Sequence, residues 1–323
     1  MTMGGLDPQR STADNYRRFG REARGRSLLY ETLAASVADD EEILEFLGTL
    51  PPPKRQPNLL FAAARYLLGG PPGLGALRTL VQRNGTDLSR VMLARRTQTN
   101  EPARCATLLP ALARLPEPLA LIEVGASAGL TLLFDRYSYS YDGHLIAGSD
   151  PDAPTLRCAV RGPVPLPERL PVIAWRAGLD LNPLDVTDDD DVRWLSCLVW
   201  PGEEDRQERL AAAIATARRD PPTVYRGDLV TDLPALAAQA PAEATLVIFH
   251  SAVLPYVTPE DRGRFIDTVR GLPAVWLSNE APGVVPGISA PAYPGGPSVL
   301  IRDGDTPLAY TDGHGVWVQW LAG

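Results

Sequence analysis

Residues 119–135, LALIEVGASAGLTLLFD, contain a glycine-rich turn with a serine at its centre. Two different chemistries use such a turn. As G-x-S-x-G, the run from Gly125 to Gly129 is a nucleophile elbow that presents the Ser127 hydroxyl for attack. Together with Glu123, the same residues form a loop of small side chains between a strand and a helix, which lets a nucleotide-like cofactor approach the backbone. The elements around the turn distinguish the two interpretations.

The hydrophobic pattern divides the chain near residue 116. Upstream, apolar residues recur at helical spacing, which predicts an all-helical domain over 1–115. Downstream, short β-rich runs alternate with helical runs, which predicts an α/β domain over 116–323 with a mostly parallel sheet. A helix is expected from about Ala128 to Arg136, directly after the glycine turn. Strands are expected at 119–124, 172–181, 223–228, 245–250 and 274–280, and residues 298–304 and 315–321 are expected to form a terminal antiparallel pair.

Polar residues stand at the ends of these predicted strands, and they are Glu123, Asp180, Asp228, His250 and Glu280. In an open α/β sheet, ligands bind outside the carboxyl ends of the strands, so four carboxylates and one imidazole would meet at one rim. A carboxylate at the end of the second strand is the group that accepts the two hydroxyl protons of a ribose. His250 is the histidine best placed to receive a proton, because it ends a buried strand beside polar residues.

The nucleophile elbow predicts another context. An α/β-hydrolase reaches its serine after several strands, with a glycine-rich oxyanion loop upstream and an acid and a histidine downstream. Here Ser127 follows the first predicted strand, and the sequence upstream does not resemble an oxyanion loop. His314, among Asp303, Asp305 and Asp312, is a candidate triad histidine, so ester hydrolysis by Ser127 stays open as an alternative.

Composition and charge exclude several classes of function. Of 323 residues, 45% are apolar and 22% are charged, which is typical of a packed globular protein. Acidic residues outnumber basic ones, 39 to 31, so the net charge of −8 does not favour a nucleic-acid partner. The first twenty residues lack the apolar region of a secretory signal, and the longest apolar run is too short to span a bilayer. We therefore expect a cytoplasmic protein without membrane contact, and the scattered cysteines and few histidines predict free thiols and no metal site.

Several segments resemble the cofactor-binding strand ends of class I methyltransferases, which use S-adenosylmethionine. They are IEVGASAG, RAGLDLNPLD, YRGD and VIFHSAVLPY, in this order. More closely, ARRTQTNEPARCATLLPAL, followed by LALIEVGASAGLTLLFDRYSYSY and VIFHSAVLPYVTPEDRGRF, resembles a bacterial family of unknown function with a methyltransferase-like domain. The resemblance covers nearly the whole chain from about Phe19. It implies a Rossmann-like methyltransferase sheet preceded by a helical domain, with S-adenosylmethionine as the cofactor.

The resemblance also implies roles for individual residues. Asp180 would hold the ribose hydroxyls, Asp228 would hold the adenine amine, and Ser251 together with His250 would border the transferable methyl. The residues that would surround the methionine part and the ribose are Glu123, Gly125, Ala126, Ser127 and Gly129.

The interval between Glu123 and Asp180 is much longer than the roughly 20 residues usual between a glycine loop and its ribose acid. An inserted hairpin at about 137–171, with Asp142-Gly143 as its turn, accounts for the difference. In the alternative interpretation, YSYSYD is itself the second strand and Asp142 is the ribose acid.

The expected reaction is an in-line displacement at the sulfonium methyl by a small-molecule acceptor, with His250 or Glu280 as general base and the helical domain as a lid. Tyr256 would contact the substrate. The polar run that would also contact it, or would instead cap a helix, is Thr97, Gln98, Thr99, Asn100 and Glu101.

In another alternative the methyl donor is lost, and the acidic rim catalyses a different displacement, such as ring closure by an amine in natural-product biosynthesis. A cofactor sensor or scaffold without turnover also stays open, and the sequence does not indicate a protein partner or a homo-oligomer.

Overall fold

The computed structural model describes residues 10–287 and 293–321. The chain separates into two compact units. One unit comprises residues 100–187 together with the chain from Arg209 onward, and the other comprises the chain up to Thr99 together with Asp188–Glu208. The segment 188–208 therefore belongs to the unit of the N-terminal residues, although it follows much of the sheet in sequence.

The unit that contains the N-terminal part of the chain is helical. Its first helix begins after Ser11, whose hydroxyl accepts a hydrogen bond from the backbone N–H of Asp14. Aromatic rings fill its core, where Phe61 lies 5.8 Å from Phe19 and 4.9 Å from Tyr30 between ring centroids. The helices of this unit are α1 (Thr12–Ala23), α2 (Leu28–Ala38), α3 (Glu41–Gly48), α4 (Pro57–Leu68), α5 (Leu74–Ala94) and the helix Asp189–Leu198, which is α7 in chain order.

The other unit contains the sheet, which is mixed and mostly parallel. Its helices are α6 (Arg104–Leu112), α9 (Leu233–Ala237) and α10 (Pro259–Arg270), and the division between the units falls within α8 (Glu204–Arg219). Its strands are β1 (Leu119–Val124), β2 (Ser138–Tyr141), β3 (His144–Ile146), β4 (Thr155–Val160), β5 (Ile173–Asp180), β6 (Val224–Arg226), β7 (Thr245–Ser251), β8 (Val275–Glu280), β9 (Ser298–Arg302), β10 (Thr306–Thr311) and β11 (Trp317–Trp320).

The strand order is β3-β2-β4-β11-β10-β9-β8-β7-β1-β5-β6. The five strands from β8 to β6 are all parallel to one another, and β1 lies between β7 and β5. Every residue of β1 is buried, as expected for a central strand that is covered on both faces. The predicted strands at 119–124, 172–181, 223–228, 245–250 and 274–280 are confirmed by β1, β5, β6, β7 and β8.

Strands β2 and β3 form an antiparallel hairpin, in which Tyr141 pairs with His144. Asp142 and Gly143 make its two-residue turn with φ of 48° and 95°, so both have the positive φ that a type I′ turn requires. The hairpin lies at the end of the sheet opposite to β6.

Two predicted elements differ from the structure. The helix expected from Ala128 to Arg136 is replaced by a single 3₁₀ turn over Leu130–Leu132, since Leu133 already leaves helical geometry with ψ of 37°. The strands expected at 298–304 and 315–321 do not pair with each other, because β10 lies between them. Pro307 is unusual within a strand, so the sequence did not predict β10. A register irregularity between Pro307 and Ala309 accommodates the missing N–H of the proline.

Candidate functional site

Buried polar side chains are concentrated at the carboxyl ends of β1, β7 and β8, and they divide between the two faces of the sheet. Because side chains alternate along a strand, Glu123, Ser251 and Asn279 lie on one face, whereas His250 and Glu280 lie on the other. The buried polar residues in this part of the sheet unit are Glu123, Ser127, Thr131, His250, Ser251, Ser278, Asn279, Glu280 and Thr311.

Glu123 is the acid at the end of β1, and only 5% of its surface is exposed. One carboxyl oxygen, Oε1, accepts a hydrogen bond from the Thr131 hydroxyl. The other, Oε2, has no hydrogen-bond partner in the described part of the chain. Burial raises the pKa of Glu123 to about 8, although the Thr131 hydrogen bond and the charge of Arg104 act in the opposite direction. Glu123 is therefore a carboxyl that changes its protonation state near neutral pH.

Arg104, the first residue of α6, ties the strand ends on the Glu123 face together. Its Nη1 donates to the backbone oxygen of Ser251 at 2.9 Å, and its Nε donates to the backbone oxygen of Gly313 at 3.0 Å. Beside it, the Asn279 amide donates to the Ser251 hydroxyl at 3.1 Å and accepts from the Thr311 hydroxyl at 2.7 Å. No pattern in the sequence singled out Arg104, Asn279 or Thr311.

The glycine turn is held by the acid at the end of β5. The backbone N–H of Ser127 donates to Asp180 Oδ2 at 2.8 Å, and that of Asn182 donates to Asp180 Oδ1 at 2.7 Å. Asn100 Oδ1 accepts from the backbone N–H of Leu130 at 2.8 Å, on the other side of the turn. Asp142 instead accepts from a backbone N–H in β4, at the turn of the β2–β3 hairpin. Of the two acids considered for a ribose, Asp180 is the one that contacts the glycine turn.

The glycines of this turn are covered by side chains of the same chain. A Cβ atom placed on Gly125 would lie 2.4 Å from a methyl group of Val253, a separation that real Cβ atoms do not show. A Cβ atom on Gly129 would lie 2.8 Å from Pro222 and 3.0 Å from Val224. Glycine is therefore required at both positions by packing within the protein, apart from any ligand.

His250 and Glu280 contact each other on the opposite face, where both are buried, with His250 Nδ1 2.7 Å from Glu280 Oε1. His250 has no exposed surface. Its ring packs against Phe265 of α10 and Trp276 of β8, with centroids 5.5 and 5.9 Å away. The His250 ring therefore lies among apolar side chains, and its part in proton transfer stays a prediction.

The family comparison agrees with one part of the resemblance. The model of a family described as "Uncharacterized protein conserved in bacteria (DUF2332)" matches residues 13–320. The chain belongs to this family. Comparison with curated proteins and with solved structures gave no match. The match confirms the bacterial family of unknown function, and the methyltransferase-like domain stays a prediction.

The polar run at 97–101 is shared between the two units. Thr97 lies in the helical unit, where its hydroxyl donates to the Gln56 side chain at 2.9 Å. Glu101 lies in the sheet unit and is buried there, accepting from Arg209 at 2.8 Å and from the backbone N–H of Ala103 at 3.2 Å. Gln98 and Thr99 belong to the helical unit, as Thr97 does, and Asn100 belongs to the sheet unit.

The other predicted site residues have local roles or are exposed. The Asp228 carboxylate accepts from the backbone N–H groups of Val230 and Thr231, at 2.8 and 3.2 Å, and so closes the turn after β6. Tyr256 is 54% exposed beyond the end of β7. Ser127 is 3% exposed, whereas a nucleophile elbow presents its serine at the surface of the turn.

None of the described helices combines the length and apolar character needed to cross a membrane.

Proposed function

We propose that the protein is an enzyme that catalyses a nucleophilic displacement on a small molecule, in which Glu123 takes the proton from an attacking amine. The observation that carries the proposal is the Glu123 carboxyl, which has one unpartnered oxygen and a pKa raised to about 8. Buried carboxyl groups without a full set of hydrogen bonds are uncommon in proteins, and perturbed acids cluster at functional sites.

The strand order supports a site at this position. Numbered among themselves, the parallel strands β6-β5-β1-β7-β8 have the order 3-2-1-4-5, which is the order of a doubly wound Rossmann-like sheet. The order reverses between β1 and β7, and ligands of such sheets bind outside the carboxyl ends of the strands at this point. Glu123 is the penultimate residue of β1, and Ser251 is the last residue of β7. A methyltransferase-like domain is accordingly part of the proposal.

The chemistry follows from the carboxyl group. An alkylammonium substrate must lose a proton before its nitrogen can form a bond, and a base with a pKa near the working pH is the most effective acceptor. Glu123 takes this proton first; the free amine then attacks carbon, the bond to the leaving group breaks, and the leaving group takes that electron pair. If the amine and the leaving group belong to one molecule, the product is a ring. Arg104 would keep the strand ends in place around the reacting groups.

Methyl transfer from S-adenosylmethionine is a displacement of the same class, and the strand order favours it as a second candidate. The glycine contacts do not point to that cofactor, because Gly125 packs against Val253 and Gly129 against Pro222 within the protein. We therefore derive no catalytic step that passes through S-adenosylmethionine.

The proposal is tested by ligand-observed NMR with a panel of primary amines and their matched alcohols. We expect amines to bind in preference to alcohols, and Glu123→Gln to lose this preference because the amide carries no negative charge to attract the ammonium group. Glu243→Gln is the matched control, since Glu243 is exposed. Equal amine binding by wild type and Glu123→Gln would contradict the proposal.

A further inference from the structure

The 3₁₀ turn Leu130–Leu132 is held from both sides in the place where a helix was expected. The backbone N–H of Leu130 donates to Asn100 Oδ1 at 2.8 Å. The backbone oxygen of Thr131 accepts a contact from Cys105 Sγ at 3.5 Å. All three residues of the turn are buried. These contacts fix the backbone of its middle residue, Thr131.

The Thr131 hydroxyl differs in its partner from two other buried threonines of the sheet unit. In helices a threonine hydroxyl commonly donates to the backbone oxygen three or four residues earlier. Thr107 and Thr216 do so, at 2.9 and 3.0 Å. The Thr131 hydroxyl instead donates to Oε1 of Glu123. The tertiary structure, and not the local turn, therefore supplies its hydrogen-bond partner.

This contact makes the two oxygens of the Glu123 carboxyl unequal. Oε1 has the hydrogen bond from the hydroxyl, whereas Oε2 is buried without a hydrogen-bond partner in the described part of the chain. A donated hydrogen bond stabilises negative charge on the oxygen that accepts it, so Oε1 is the weaker proton acceptor of the two. In the protonated carboxyl, Oε1 is then the carbonyl oxygen and Oε2 carries the proton.

The same hydrogen bond affects the pH at which Glu123 ionises. Burial raises the pKa of Glu123, and the hydrogen bond from Thr131 is the largest of the influences that lower it. Without the hydroxyl, the effect of burial would be opposed less, and the carboxyl would stay protonated to a higher pH. A carboxyl must be ionised before it can take a proton, so less of the base would be present at neutral pH.

We infer that Thr131 is a positioning residue for Glu123, and that its hydroxyl engages Oε1 and leaves Oε2 as the oxygen that takes the proton. The inference rests on the proposed function in one respect, namely that the proton comes from an amine. The effect of the hydroxyl on the carboxyl is measurable without a substrate.

The test is an NMR pH titration of the full-length protein, labelled with ¹³C at the side-chain carboxyl of glutamate. Glu123→Gln identifies the Glu123 signal, because that variant lacks it. Thr131→Val keeps the shape of threonine and removes the hydroxyl, and we expect it to raise the pKa of Glu123 by about one pH unit. Thr131→Ser keeps a hydroxyl, and the control Thr216→Val removes a buried hydroxyl elsewhere in the unit, so both should match the wild type.

Melting curves establish that each variant is folded, and Thr131→Ala replaces Thr131→Val if the latter is not. An unchanged pKa of Glu123 in a folded variant without the hydroxyl would overturn the inference, as would an equal rise in Thr216→Val. The two proposals fail separately. Retention of the amine preference by Glu123→Gln refutes the proposed function, whereas the titration alone decides the role of Thr131.

Discussion

Replacing Glu123 by glutamine should remove a large pH dependence of stability. The pKa of Glu123 is raised from its ordinary value of 4.5 to about 8 in the folded protein, so folding favours the protonated carboxyl. For an acid whose pKa is raised by folding, the stabilisation is greatest at low pH and is lost as the pH rises from about 4.5 to about 8. At 1.36 kcal/mol for each pH unit, the wild type loses roughly 4 kcal/mol from this group between about pH 5 and pH 9.

Urea unfolding followed by circular dichroism, at intervals of one pH unit, measures this loss. Glutamine has the shape of the protonated carboxyl and does not ionise, so the free energy of unfolding of Glu123→Gln should fall less steeply with pH. The difference between the two proteins should reach roughly 4 kcal/mol across the range. Glu243→Gln, at an exposed position, should follow the wild type. Parallel curves for wild type and Glu123→Gln would refute the reasoning, because they would show that the Glu123 carboxyl ionises as easily in the folded as in the unfolded protein.

Three further predictions concern the same strand ends. Ser278→Ala should raise the melting temperature, because the buried hydroxyl has no hydrogen-bond partner among the described residues and its removal recovers about 1–3 kcal/mol of desolvation; a lower melting temperature would contradict this. Asn279→Ala should lower the free energy of unfolding by roughly 2–4 kcal/mol, since it breaks two buried hydrogen bonds, and urea titration measures the change. Gly125→Ala should destabilise the protein by at least about 2 kcal/mol through its contact with Val253 and its φ of 72°, and the double variant with Val253→Ala should recover part of that loss in a double-mutant cycle. Strictly additive effects would show that the two residues are not in contact.

The sequence predicted the central strands because they are continuous apolar runs that end in polar residues. It also predicted that an acid follows the second strand of the parallel sheet, and Asp180 lies there against the Ser127 amide. It did not predict the face on which His250 points. Strand β7 is buried on both faces, so the alternation of polar and apolar residues that reveals the inward face of an edge strand is absent from it.

Arg104 and Val253 were missed for a different reason. Arg104 occurs in a chain rich in arginine, and its partners Ser251 and Gly313 are distant in sequence, so no local pattern selects it. The contact of Val253 with Gly125 exists only after β1 and β7 pair, and a glycine in the sequence is equally consistent with a ligand or a side chain above it. Such contacts are properties of the tertiary structure.

The position of β11 has a consequence for the synthesis of the protein. This last described strand lies between β10 and β4, where Trp317 pairs with Ala159 and Val318 with Val160. The β2–β3 hairpin and β4 are made well before β11, the strand through which they join the rest of the sheet. Pairing between such distant segments is slow, and exposed strand edges invite aggregation. While the chain is being made, the edge of β4 therefore stays unpaired until the much later residues of β11 have emerged.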